Sequence, residues 1–193
     1  MAHIARVPTT MTADEFVDTD QCEFGDAWRY DLVDGVIEAH AAPSDRHGVI
    51  LTNVVFALKS RLKNHREGCR AETGSAVIPS RKIRNTARIP DALARCQGLP
   101  RVTFEVVSPS ELRHIKQRDR KREDVKQVEG VVQLVEIYQH TMAAHIHNKT
   151  GAGGWEFVTI SGREAVLEVP SLGISIPLIE IYEDAMPADE GRN

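Results

Sequence analysis

The chain has 193 residues, 41% apolar and 27% charged, with a formal net charge of −4 at pH 7. That length is ample for a sizeable core and suits one domain spanning 1–193. Net acidity weighs against tight non-specific nucleic-acid binding, which rests on many Lys and Arg contacts to phosphate.

No apolar run approaches the roughly 18 residues of a membrane span. Met1-Ala2-His3-Ile4-Ala5-Arg6 also lacks the apolar core of a signal peptide, so no membrane association is expected. Cys22, Cys69 and Cys96 are odd in number and form no C-x-x-C pair. They read as reduced thiols of a cytoplasmic protein.

In chain order, Thr12 with Glu15 forms a capping box for a short helix at Ala13-Asp14-Glu15-Phe16. Residues 18–27 are polar and read as loop. Strands over 28–33 and 36–41 flank Asp34-Gly35, a strong two-residue hairpin signal. Pro43-Ser44-Asp45 opens a long helix to about His65, with Leu51, Val55, Leu58 and Leu62 as its core-facing stripe. Strands are expected over 69–78 and 82–88. Ser108 caps the next helix, with Pro109 at its first position and Glu111 closing a capping box; it should run to about Glu129. Strands follow over 132–138, 142–147 and 155–160. A meander over 165–176 leads to a short helix at 178–182, and the tail from Met186 to Asn193 reads as disordered.

The fold class is therefore α+β, a mixed sheet flanked by two long helices. Two of its expected strands carry the chemistry. Arg88-Ile89-Pro90-Asp91 leads into the apolar Ala92-Leu93-Ala94, and Glu105 lies among Phe104, Val106 and Val107. Lone acids are rare in buried strands, because an unpaired buried charge is costly. Asp91 and Glu105 on neighbouring strands suit Mg²⁺, with Mn²⁺ as an alternative, which binds through one or two carboxylates plus waters and substrate phosphate. The plainer alternative is that Asp91 ends a loop and Glu105 pairs with a base on the following helix.

No lysine follows Glu105 on its own strand. Lys121 on the next helix shares a face with Val125 and Val128, at i+4 and i+7, and that face must meet the sheet. Lys116 lies about 140° away round the helix. Lys121 is thus the candidate to orient the attacking water, or else a lysine lying over apolar surface.

Arg113, Lys116, Arg118, Arg120 and Arg122 form a basic cluster that could track a phosphate backbone or simply face solvent. His47, in the first turn of the long helix, could reach the same cleft. His145 and His147 share one strand face, without a third metal ligand nearby in sequence. Ser108 is explained by capping and is not a nucleophile.

Tyr30-Asp31-Leu32-Val33-Asp34-Gly35, His47, Pro90-Asp91, Phe104-Glu105-Val106-Val107-Ser108-Pro109-Ser110 and Lys121 with Glu123-Asp124 form an ordered series. The series resembles the Uma-type restriction-endonuclease family over residues 11–184, including its closing meander at Leu167-Glu168-Val169-Pro170. That resemblance implies the PD-(D/E)XK nuclease fold, a divalent metal held by Asp91 and Glu105, and a helix-borne lysine at Lys121. Asp31 stands where the family usually has Glu, and is the candidate accessory acid.

Two functions are in play. One is a Mg²⁺-dependent endonuclease acting on DNA, suited to a homodimer with two sites. The other is a catalytically degenerate module of the same fold, binding or regulatory, acting as a homodimer.

Overall fold

The computed structural model describes residues 6–65, 68–80 and 84–186, those at 64 and 65 by backbone alone. Its centre is a six-stranded sheet whose order follows the chain. The strands are β4 (Cys69–Thr73), β5 (Ala92–Cys96), β6 (Leu99–Val107), β7 (Gln133–Tyr138), β8 (Ala143–Lys149) and β9 (Trp155–Ser161). Neighbours are antiparallel except β6 and β7, which run parallel. A parallel pair needs a crossover rather than a tight turn. Here α3 (Pro109–Arg113) and α4 (Ile115–Lys126) provide it.

The two faces differ in chemistry. On one, Phe104 and Val106 of β6, Val135 and Ile137 of β7, and Ile146 of β8 form the main core. They pack under α2 (Asp45–His65) and the antiparallel hairpin of β10 (Val166–Val169) and β11 (Ile174–Pro177), which continues into α5 (Leu178–Ile181). The other face holds a smaller apolar cluster, with Leu93, Leu134, Val125 and Val128. Strand alternation puts Glu105 and Glu136 on this second face, which α4 covers.

A separate sheet of β1 (Arg6–Pro8), β3 (Val36–His40) and β2 (Arg29–Val33) carries its own core of Phe16, Tyr30, Leu32 and Ile89. Phe16 comes from α1 (Ala13–Asp18), whose Thr12–Glu15 capping box is formed as expected. The β2–β3 turn has φ of 49° at Asp34 and 74° at Gly35, the double left-handed conformation of a two-residue hairpin.

Several boundaries depart from the sequence reading. The helix after β6 is broken at His114 (φ −109°, ψ 51°), so α3 ends after five residues and α4 sets off anew. The His114 ring Nδ1 lies 2.8 Å from the Ser110 carbonyl, beside the break. On α2 the fully buried stripe is Ile50, Val54, Leu58 and Leu62. Leu51 and Val55 are only partly buried, because the apolar arc faces both the sheet and an adjoining cleft. A 3-10 turn, Gln21–Phe24, occupies the expected loop.

Residues 84–90 form no strand, only bridges from Ala87 to Leu32 and from Arg88 to Val77. The part of that expected strand at 82–83, and most of the expected tail, at 187–193, lie outside the described residues.

The three cysteines are not all free. Cys69 and Cys96 are direct cross-strand partners on β4 and β5, with Cα atoms 4.0 Å apart, and are joined as a disulfide. The expectation of three reduced thiols is corrected accordingly, because two strands far apart in sequence bring these two together. Cys22 is free and exposed. Among the described residues no helix is long and apolar enough to cross a membrane.

Candidate active site

The β5–β6 register pairs Ala92 with Phe104, so the next position outward sets Asp91 opposite Glu105. Opposed residues on antiparallel strands have Cβ atoms about 4.5–5.5 Å apart and point to the same face. Asp91 lies just beyond the start of β5, on a segment clamped from both sides. Ala87 exchanges backbone hydrogen bonds with Leu32, and Arg88 with Val77.

Asp91 is nearly buried, and it faces donors and bases. Arg29 Nη1 donates to its Oδ1 at 2.6 Å, and the Val106 N–H donates to its Oδ2 at 2.7 Å. His47 Nε2 stands 3.4 Å from Oδ2, so the histidine does reach this carboxylate. Burial alone would raise the Asp91 pKa, but His47, Arg29 and Lys121 together hold it well below the usual carboxylate range.

Glu105 is in a different state. Lys121 Nζ donates to its Oε2 at 2.8 Å, approaches Oε1 equally closely, and also reaches the Ile89 carbonyl at 3.3 Å. Oε1 nevertheless has no hydrogen-bond partner and is shielded from solvent. Burial pushes Glu105 up to about 8; Lys121 opposes that shift and Asp91 adds to it.

Asp31 is fully buried on β2. Its Oδ1 accepts the Ile89 N–H at 2.9 Å, while Arg88 Nη1 donates to Oδ2 at 3.3 Å and His40 Nε2 stands 3.3 Å away. Burial opposes its charge, but Lys121, His40 and Arg88 outweigh it and hold the pKa well below normal. Arg88 is in turn gripped by Asp124 of α4, at 2.7 and 2.9 Å. Asp31 thus fixes the backbone two residues ahead of Asp91.

The basic cluster divides. Arg113 and Lys116 are exposed, and Arg120 pairs with Asp34. Arg118 and Arg122 turn inward to Glu136, the register partner of Glu105 on β7. Arg122 Nη1 is 3.3 Å from Glu136 Oε2, and His147 Nε2 is the same distance from it. His145 bonds instead to the Tyr138 hydroxyl at 2.7 Å.

Sequence reasoning missed Arg29 and Glu136. A signal for Glu136 was present, since it is a lone acid inside the apolar run Leu134-Val135-Glu136-Ile137, the same pattern that marks Glu105. Nothing near Arg29 in sequence points to Asp91, 62 residues away.

Asp91 also borders a cleft of about 540 Å³, between the segments around Trp28 and Ile89 on one side and α2 on the other. Leu51 and Val55 line its α2 wall, and Phe56 and Lys59 lie farther along the same helix.

Two carboxylates on adjoining strands, with a lysine from the crossover helix, suit a divalent ion of the Mg²⁺ type, which needs few protein ligands. The buried Oε1 of Glu105, which meets Lys121 at 2.8 Å but accepts no hydrogen bond, is the atom such an ion would take. Among the described residues no three His, Cys, Asp or Glu side chains converge, as a closed zinc site would require.

The mixed sheet with its crossover helices is a restriction-endonuclease-like fold. It is similar to a solved structure from Anabaena variabilis ATCC 29413, described as a putative nuclease belonging to DUF820. The TM-score is 0.68 at 16% identity, over 91% of this chain and 99% of that one. The family model Uma2, described as "Putative restriction endonuclease", matches residues 13–178, and the chain belongs to that family. No curated protein matches the chain.

Proposed function

We propose that this protein is a metal-dependent endonuclease that hydrolyses phosphodiester bonds of DNA, with Asp91 and Glu105 holding Mg²⁺ or Mn²⁺. The observation that carries this reading is the opposition of these two carboxylates across β5 and β6, with Lys121 2.8 Å from Glu105. When bound, the ion lowers the pKa of a water and neutralises charge developing on phosphorus. Lys121, tethered between Glu105 and the Ile89 carbonyl, orients that water and offsets negative charge. The water oxygen bonds to phosphorus, the bond to the leaving sugar oxygen breaks, and the water's proton replaces it there.

Asp31 is a positioning acid in this scheme, because both its oxygens are engaged in holding Ile89 and Arg88. His47 assists by facing Asp91. Arg113 and Lys116, exposed on the crossover, supply backbone contacts to the duplex or strand.

One observation favours a second reading. Arg29 and Lys121 already neutralise Asp91 and Glu105 pairwise, as they would in a degenerate homodimeric binding module.

Calorimetry separates the two readings, with Mg²⁺ or Mn²⁺ titrated into wild type and into Asp91→Ala/Glu105→Ala, with and without DNA. Uptake that vanishes in the double variant, together with metal-dependent cleavage, supports the nuclease. No uptake even with DNA present would sink it in favour of the binding module.

A further inference from the structure

The cleft beside Asp91 has walls that hydrolysis alone does not explain. Trp28 and Phe56 both line it and are 63% and 72% exposed. Large aromatic side chains left this bare are uncommon on a soluble surface unless they meet a partner. The two come from different elements, Trp28 from the residue ahead of β2 and Phe56 from mid-α2, yet they border one concavity that Asp91 also lines. Lys59 adds an exposed cation to the lining, and Arg29, which also borders it, is paired with Asp91.

We propose that this cleft receives an unpaired nucleobase of the substrate strand, stacked against Trp28 and Phe56. The substrate class is then single-stranded DNA or a duplex with an extruded or unpaired nucleotide. The inference rests on the nuclease reading for the direction of the strand, from the cleft towards Asp91 and Glu105.

Three observations select this occupant. The first is size: about 540 Å³ is the scale of a small-molecule site and is far too narrow for a double helix. The second is the nature of the walls. An aromatic face stacks on a base only when that base has left its own stack, and such contacts tolerate any base. The third is charge, since the exposed Lys59 complements a phosphate flanking the base.

The sequence offers a clean reporter. There are two tryptophans, Trp28 and Trp155, and Trp155 lies under Lys126, 5.7 Å from its ring centre. In the full chain carrying Trp155→Phe, all indole emission comes from Trp28. That protein is titrated in chelator, which prevents cleavage, with a single-stranded oligodeoxynucleotide and separately with a blunt hairpin duplex of the same composition.

Saturable quenching by the single strand at least about tenfold tighter than by the duplex is expected, and Phe56→Ala should weaken it by about tenfold or more. Phe56 is exposed, so the variant should fold, and a thermal melt checks this. Equal quenching by both DNAs, no quenching, or unchanged binding by folded Phe56→Ala overturns the proposal. So does emission that shifts with protein concentration alone, the sign of a second copy in the cleft.

The two readings fail separately. Quenching by single strands without any metal uptake at Asp91 and Glu105 upholds the cleft and removes the nuclease. Metal-dependent cleavage of intact duplex without Trp28 quenching removes the cleft proposal and leaves the nuclease.

Discussion

Glu105 of β6 and Glu136 of β7 are direct partners in the parallel pairing of the sheet, and consecutive residues of α4, Lys121 and Arg122, answer them. Two buried carboxylates side by side would repel strongly in a medium of low dielectric. Each instead has its own cation, and the two environments diverge. Glu105 has Lys121 alone and a raised pKa, whereas Glu136 is surrounded by Arg118, Arg122 and His147 and stays low.

Glu136 should therefore behave as a structural ion. Glu136→Ala takes the buried carboxylate from half-buried Arg118 and leaves Arg122 with Asp119 alone, and breaking a buried pair costs up to about 3–5 kcal/mol. Urea unfolding at neutral pH should register that loss, and a cost under about 1 kcal/mol would contradict the assignment.

The same cluster sets a pH dependence. Burial would raise the Glu136 pKa, but His147, Arg122 and Arg118 outweigh it, so the folded value lies below the ordinary 4.5. As pH falls, the unfolded chain takes up this proton first. The stabilisation is complete above about 4.5 and drains away as pH drops through the folded value. Stability of Glu136→Gln should consequently fall less steeply than wild type in acid, as read from melts between neutral pH and pH 3.

Lys121 tests the candidate site from the helix side. Lys121→Met removes the cation from Glu105 while keeping a long apolar stem over Val125 and its neighbours. Cleavage should drop about 100-fold or more if the ammonium stabilises the reacting phosphate. Single-turnover rates at saturating metal would measure this, and a rate within threefold of wild type would assign Lys121 to packing alone.

Asp31 should act at a distance. Asp31→Ala frees the Ile89 amide and leaves Arg88 with Asp124 as its remaining carboxylate. A loss of about 3–5 kcal/mol is expected. Faster amide exchange at Ile89 and Asp91 should accompany it. Unchanged exchange there would show that Asp31 does not hold the segment.

Thiol counting checks the corrected cysteine assignment. Native, unreduced protein should react at one thiol per chain, Cys22, and at three after reduction under denaturant. Three reactive thiols without reductant would mean that Cys69 and Cys96 are not joined.

Much of this was legible in the sequence, for a common reason. Asp91, Glu105 and Lys121 stand out because a charge inside an apolar run or on a sheet-facing helix side breaks a local period. The Thr12 and Ser108 caps are likewise local, and both form. What stayed hidden depends on long-range docking. Arg29 meets Asp91 only once the β2–β3 hairpin is packed beside β5, and Cys69 meets Cys96 only through strand register. The break at His114 has no Gly or Pro to announce it, and the α2 stripe is displaced because that helix faces a cleft as well as a core.

The hydrogen bond from the Val106 amide to Asp91 has a further consequence. β6 runs on to Val107 while its β5 partner stops at Ala92, so beyond Phe104 a side-chain oxygen does the work of a missing strand. Asp91 Oδ2 is thereby stitched into the sheet, and its orientation is set by the backbone of β6. Any cation that competes with Arg29 meets a single oxygen, Oδ1. Exchange there is an event at one atom, which the rest of the fold is built to hold still.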